Sequence, residues 1–233
     1  MTTRLIIARH GNTFTKDQTP TRVGCRTDLP LVEEERGTAV GKYLKLKGYN
    51  PVKVFAAPLK RTMETARLAV KALGKDLAVE ENEDFVEIDY GPDENKTEAE
   101  VINRLGRHYL EKEGQDLSLL SEQDIVNKGE EVLAWWNEKA LVPDGWVVSP
   151  CEIIAAWKEF ADKVEKEYQG QDVLLVSSNG VIRFAPYLTG DFKAFAAKHD
   201  IKVTTGGVCV FEKEDGDADW RCTEWNAKAV KMV

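Results

Sequence analysis

The sequence predicts an α/β fold: a three-layer sandwich whose mostly parallel central sheet carries helices on both faces, with an antiparallel edge and a helical insertion. Three observations predict it. Short apolar runs alternate with segments of helical period. Two late strand candidates flank an acidic glycine turn, Glu214 to Asp219, which suits a hairpin. Between them and the first half lies a charge-dense stretch, about 93–150, that breaks the alternation.

Arg4 to Ala8 reads as a buried strand that delivers the chain into a polar loop, Arg9 to Pro30, so His10 stands at a strand exit. Val40, Tyr43, Leu44 and Leu46 recur at helical spacing between Glu33 and Gly48, where Gly48 and Pro51 supply a stop. Val52 to Ala56 is the second strand. Leu59 to Leu73 follows as an amphipathic helix through Met63, Ala66, Val70 and Leu73, with Pro58 before it, Gly74 after it and Arg61 in its first turn. Asp76 to Val79 is a third strand candidate. The insertion, or lid, contains helical stretches at Glu98 to Lys112 and Gly129 to Lys139 and a loop rich in Pro, Gly and Trp at Val142 to Pro150. Cys151 to Tyr168 is helical, Asp172 to Val176 is an unbroken apolar strand, and Ser177 to Gly180 is a small polar loop at its exit. Thr204 to Glu212 and Trp220 to Asn226 are the hairpin strands. The organisation expected is a single domain spanning 1–233.

The 233 residues carry a net charge of −8, so the broad positive surface used by non-specific nucleic-acid binders is absent. No apolar run reaches the roughly 18 to 20 residues of a membrane span. A soluble, cytoplasmic protein is expected, with no nucleic-acid and no membrane partner. Cys25, Cys151, Cys209 and Cys222 are far apart and form no CxxC pair, which leaves reduced thiols as the expectation. With only three histidines, a multi-histidine metal cage is not expected. Homo-oligomerisation stays open.

In open α/β sheets ligands collect beyond the carboxyl ends of the strands, where both Arg9-His10-Gly11 and Ser177-Ser178-Asn179-Gly180 fall. An arginine fork beside an imidazole and a glycine combines an oxyanion clamp, a nitrogen nucleophile and a closely approachable backbone. Leu5 to Thr13, Arg26 to Leu31, Phe55 to Ala66, Glu87 to Gly91 and Val173 to Arg183 follow in the order and at the distances that resemble the histidine phosphatase superfamily, in its phosphoglycerate mutase-like branch.

The resemblance implies that His10 attacks a phosphoryl group and becomes a transient phosphohistidine. It also implies that Arg9 and Arg61 hold the phosphoryl oxygens, and that Glu87 protonates the leaving oxygen and later activates water. Several other acids, Glu83, Asp84, Asp89, Asp93 and Glu94, crowd that stretch and compete for the role. The sequence departs from the family pattern where a second histidine stands in a Ser-His-Gly-Gly setting. Here Ser178 takes the histidine's place and Asn179 that of a glycine. Both remain neutral donors for a phosphoryl oxygen, at a cost of about tenfold in rate against a charge-assisted bond. Asn12, Lys16 and Arg26 are candidates for the rest of the substrate.

The family's Trp-Glu-Gly after the acid is replaced by Pro92-Asp93-Glu94-Asn95, which together with the missing histidine points away from mutase activity. Two functional readings follow. One is a metal-independent phosphatase, with no cofactor, acting on a small phosphorylated molecule. The other is a weak or inactive phospho-ligand-binding relative. A third role, compatible with either, is an interaction surface formed by exposed Trp135, Trp136 or Trp146.

Overall fold

The computed structural model describes residues 1–233 and contains two compact units. The first gathers Met1–Thr15, Asp28–Glu87 and Ser149–Val233; the second gathers Lys16–Thr27 and Ile88–Val148.

The first unit is built on a six-stranded sheet in the order β3-β2-β4-β1-β5-β6. Its strands are β1 (Thr2–Arg9), β2 (Pro51–Ala56), β3 (Val79–Glu81), β4 (Asp172–Ser177), β5 (Gly207–Glu214) and β6 (Arg221–Lys228). The first four run parallel, β5 is antiparallel to β1, and β6 pairs antiparallel with β5. On one face, Ile6, Ala8, Val54, Ala56, Leu174 and Val176 pack against Val40, Tyr43 and Leu44 of α1 (Glu35–Lys47) and Met63, Ala66 and Val70 of α2 (Lys60–Leu73). Both helices end on a glycine in the left-handed region, Gly48 and Gly74, as their sequence stop signals predict. On the other face Phe55 meets Phe160 edge-on at 5.3 Å, and Trp157 donates its indole N–H to the Val181 carbonyl at 3.0 Å. Strand residues alternate between the two helical layers, so period-2 sterics and apolar burial place the sheet in the middle.

Several element boundaries differ from expectation. The third strand is displaced from Asp76–Val79 to Val79–Glu81, because pairing with Val54, Phe55 and Ala56 selects an edge segment whose side chains are largely exposed and carry no apolar pattern. The hairpin strands begin later than expected; Thr204 to Gly206 form a loop in which the Gly206 N–H reaches the carbonyls of Arg9 and His10. The polar loop after β4 is instead strand through Ser177, followed by a one-turn helix, α6 (Asn179–Ile182).

In the second unit, α3 (Glu98–Lys112) and α4 (Glu122–Lys139) cross at paired glycines. A methyl group at Gly106 would lie 2.0 Å from the Ile125 carbonyl oxygen, and one at Gly129 would lie 2.0 Å from that of Ile102. The backbones therefore touch where any side chain would force them apart. A capping box between Ser121 and Asp124 starts α4 seven residues before the expected Gly129; the polar first turns hid it from periodicity.

Buried Asp93 receives both arms of the Arg104 fork at 2.5 and 2.6 Å and the Trp146 indole N–H at 2.7 Å. The exposed tryptophans that the third role would need are not found at Trp136 or Trp146. Trp136 and Trp146 are 3% and 6% exposed, and half-buried Trp135 packs edge-on against Tyr109. No helix is long and apolar enough to cross a membrane, and all four cysteines are free thiols.

Candidate active site

Four chain segments of the first unit converge at the carboxyl edge of the sheet. Register places Arg9 opposite Ser177, and the His10 N–H continues the ladder to the Ser177 carbonyl at 3.1 Å. His10 and Ser178 are thus the first residues beyond two adjacent parallel strands. The Ala57 N–H bonds the Val176 carbonyl at 3.0 Å, which brings the β2 exit and the first turn of α2, with Arg61, to the same edge. Glu87 arrives from β3 through a 3-10 turn at Glu83–Phe85, pinned by the Ser177 hydroxyl, which donates to the Phe85 carbonyl at 2.7 Å.

The His10 ring is buried, and its Nδ1 lies 2.7 Å from the Gly11 carbonyl. A carbonyl only accepts, so Nδ1 carries the proton and the neutral ring keeps its lone pair on Nε2. Burial, then the positive charges of Arg9 and Arg61, hold the ring well below its ordinary value near 6.5, against the smaller opposing effect of the Gly11 bond. A neutral ring therefore persists into mildly acidic solution. The folded state refuses a proton that the unfolded chain accepts. The ring's contribution to stability is complete above the unfolded value and is lost as pH falls below about 6.5 toward the folded value. The parent is accordingly expected to lose more stability than His10→Gln on acidification from about pH 7 to 5, measured by urea unfolding; equal losses would contradict the depressed value.

Arg61 is completely buried. Its backbone carbonyl accepts from the Thr65 hydroxyl at 2.7 Å, and the same hydroxyl accepts from the Gly11 N–H at 3.0 Å, which ties the first turn of α2 to the His10 loop. That turn lacks a side-chain cap from Leu59; Asp28 supplies one from the preceding loop, accepting from the Lys60 N–H at 2.7 Å. Asp28→Ala is expected to cost about 1 kcal/mol, read as a lowered Tm, with Asp28→Asn largely restoring it. Thr65 and Asp28 lie in stretches that carried the resemblance, yet nothing in their residue types announced these contacts.

Glu87 is 5% exposed and accepts from the Gly180 N–H at 3.3 Å, whereas its sequence competitors Glu83 and Asp84 are exposed. Ser178 is fully buried, and its hydroxyl has no hydrogen-bond partner within the protein. Arg9 donates through Nη1 to the Val203 carbonyl at 2.5 Å, and Asn179 Oδ1 accepts from the Val203 N–H at 2.8 Å. Val203 had no sequence signal, because only its backbone takes part.

The three expected substrate residues fall in different units. Asn12 lies in the first unit and accepts from the Thr205 hydroxyl at 2.6 Å. Arg26 lies in the second unit, where it donates to Asp89 at 3.1 Å and to the Gly91 carbonyl at 2.5 Å. Lys16 is an exposed residue of that unit.

Residues 5–119 and 111–228 match the sequence profile of the histidine phosphatase superfamily (branch 1). Over 115 residues the chain is 36% identical to a bifunctional protein of Mycobacterium tuberculosis; this covers 47% of the chain and only 30% of that protein's length. The fold is similar to a phosphoglycerate mutase from Bacillus anthracis strain Sterne, with a TM-score of 0.68, 19% identity and coverage of 98% and 95% of the two chains. A mycobacterial glucosyl-3-phosphoglycerate phosphatase holding inorganic phosphate gives 0.68, 20% identity and coverage of 98% and 99%. A phosphoserine phosphatase variant from Entamoeba histolytica gives 0.66, 18% identity and coverage of 97% and 98%. At such identities the structures establish the shared fold alone, and the profile, which runs nearly end to end, establishes kinship: this chain belongs to branch 1 of the histidine phosphatase superfamily.

Proposed function

We propose that this chain is a phosphatase that hydrolyses a small phosphomonoester through a phosphohistidine on His10, in the cytoplasm and without a metal ion. The observation that carries the reading is the Nδ1–H bond to the Gly11 carbonyl, which leaves Nε2 as the nucleophilic atom of a buried neutral ring. The Nε2 lone pair forms a bond to phosphorus while the bond to the leaving oxygen breaks. Glu87, protonated, gives that oxygen its proton. Water then attacks phosphorus, Glu87 takes the water's proton, and the P–N bond electrons return to Nε2. Arg9 and Arg61 supply fixed positive charge to the phosphoryl oxygens as it shifts between them. The mycobacterial and Entamoeba relatives are named as phosphatases of glucosyl-3-phosphoglycerate and phosphoserine, which supports a small phosphomonoester as the substrate class.

The test is hydrolysis of an aryl phosphate in excess chelator, with alkaline quench and mass spectrometry of the His10 peptide without acid exposure. An acid-labile phosphoryl adduct that forms and decays at the turnover rate is expected; turnover without an adduct would remove the covalent route.

The buried, unpartnered Ser178 hydroxyl is the proposed donor at the place where the resemblance implies a histidine. Ser178→His is expected to raise kcat about tenfold by restoring a charge-assisted bond. Loss of activity in that variant would instead mean that the pocket is rebuilt around the hydroxyl. A parent that binds phosphate without turnover would establish the second reading, a phospho-ligand-binding protein.

A further inference from the structure

We propose that Asn179 is a positioning residue for Arg9, acting through the Val203 peptide; the inference rests on the phosphate-pocket reading above. The two side chains reach opposite ends of one residue. Asn179 faces an N–H donor, so the atom it presents must be Oδ1, and the bond is 2.8 Å. One residue's length of backbone further on, the Val203 carbonyl accepts Arg9 Nη1 at 2.5 Å.

Val203 itself is fully buried, and the loop that carries it is tied down before it, where Asn226 Nδ2 donates to the Lys202 carbonyl at 3.2 Å, and after it. Asn226 Oδ1 accepts from the Thr204 N–H and hydroxyl, both at 2.9 Å, while the Gly206 N–H reaches the carbonyls of Arg9 and His10 at 3.0 and 3.1 Å. Val203 is therefore a rigid stop for one arm of the Arg9 fork, and Asn179 sets where that stop stands.

An arginine side chain carries about 2 kcal/mol of rotamer entropy, so an arm already seated on a fixed carbonyl presents the rest of the fork to an oxyanion with less still to lose. The bond to Val203 uses only Oδ1; Nδ2 keeps its N–H donors, and a direct bond from it to phosphate is the additive outcome that the cycle below separates from positioning. In the positioning role Asn179 serves the neighbouring arginine, while Ser178 is the hydroxyl donor.

A double-mutant cycle tests this, with inorganic phosphate as the probe, titrated into the parent, Asn179→Ala, Arg9→Ala and the double variant under conditions where melting shows each to be folded. If Asn179 acts through Arg9, Asn179→Ala weakens phosphate binding about tenfold in the parent and by less than about twofold once Arg9 is alanine. Equal losses in both backgrounds would show that Asn179 acts independently of Arg9 and overturn the proposal, as would no loss in the parent. A merely structural role would lower Tm in both backgrounds without coupling.

Where phosphate binding by Arg9→Ala is too weak to titrate, kcat/KM for an aryl phosphate closes the same cycle. Should the alanine variant not fold, Asn179→Ser, whose hydroxyl is too short for the Val203 N–H, replaces it with the same expectation. Failure of the parent to bind phosphate would remove the pocket reading and this inference together. Binding that depends on Arg9, with an additive Asn179 effect, would remove only the inference.

Discussion

His10→Ala is expected to lower kcat for an aryl phosphate on the order of 10⁴-fold or more, with phosphate binding retained. No other group is expected to take over the attack: the ring is the only imidazole among the residues brought to this edge, and its lone pair is aimed by the Gly11 carbonyl. The arginines remain, so the variant is expected still to capture phosphate and to keep a small residual rate from charge stabilisation alone. Calorimetry with inorganic phosphate separates the two quantities. Equal phosphate release by parent and variant would end the catalytic reading, whereas loss of binding along with rate would point to collapse of the pocket.

Arg61→Ala is expected to cost about 10²- to 10³-fold in kcat/KM, the scale of a lost preorganised donor to a developing oxyanion. Its guanidinium is wholly enclosed, so the charge acts at low screening and no solvent cation takes its place. Arg61→Lys is expected to recover little, since a point charge cannot reproduce a planar fork. A second readout comes from the imidazole. Arg61 is one of the charges that depress it, so removing that charge should move the acid limb of kcat/KM attributable to His10 toward higher pH. A variant that loses rate with an unmoved limb would place Arg61 too far from the ring for the arrangement proposed.

Much of this arrangement was legible in the chain. The strand exits were readable because Leu5 to Ala8 and Val173 to Val176 are buried on both faces and so form unbroken apolar runs. Arg61 could be placed in a first turn because the apolar stripe of its helix is strong and glycine ends it. The resemblance singles out Glu87, but residue type alone does not separate it from its acidic neighbours: Asp93 is buried too, held by Arg104 and Trp146, and what sets Glu87 apart is its contact with the Gly180 N–H, reached through the turn that the Ser177 to Phe85 bond pins. The roles of Asn179 and Val203 were hidden for another reason: a side chain meeting a backbone 24 residues away leaves no mark in residue type. The early start of α4 and the exact span of the short edge strand escaped the sequence because polar turns and exposed edges have no hydrophobic period to read.

The strand order has a consequence for biosynthesis. β1 takes both its neighbours, β4 and β5, from the last third of the chain, with Arg4 paired to Asp172 and Ile7 to Cys209. During translation Leu5 to Ala8 therefore emerge with no sheet partner and wait until most of the polypeptide has left the ribosome. Such distant parallel pairing is slow to close and leaves a sticky apolar segment open to association. Truncated or stalled chains should accordingly be chaperone clients, and refolding from denaturant should lose yield as concentration rises.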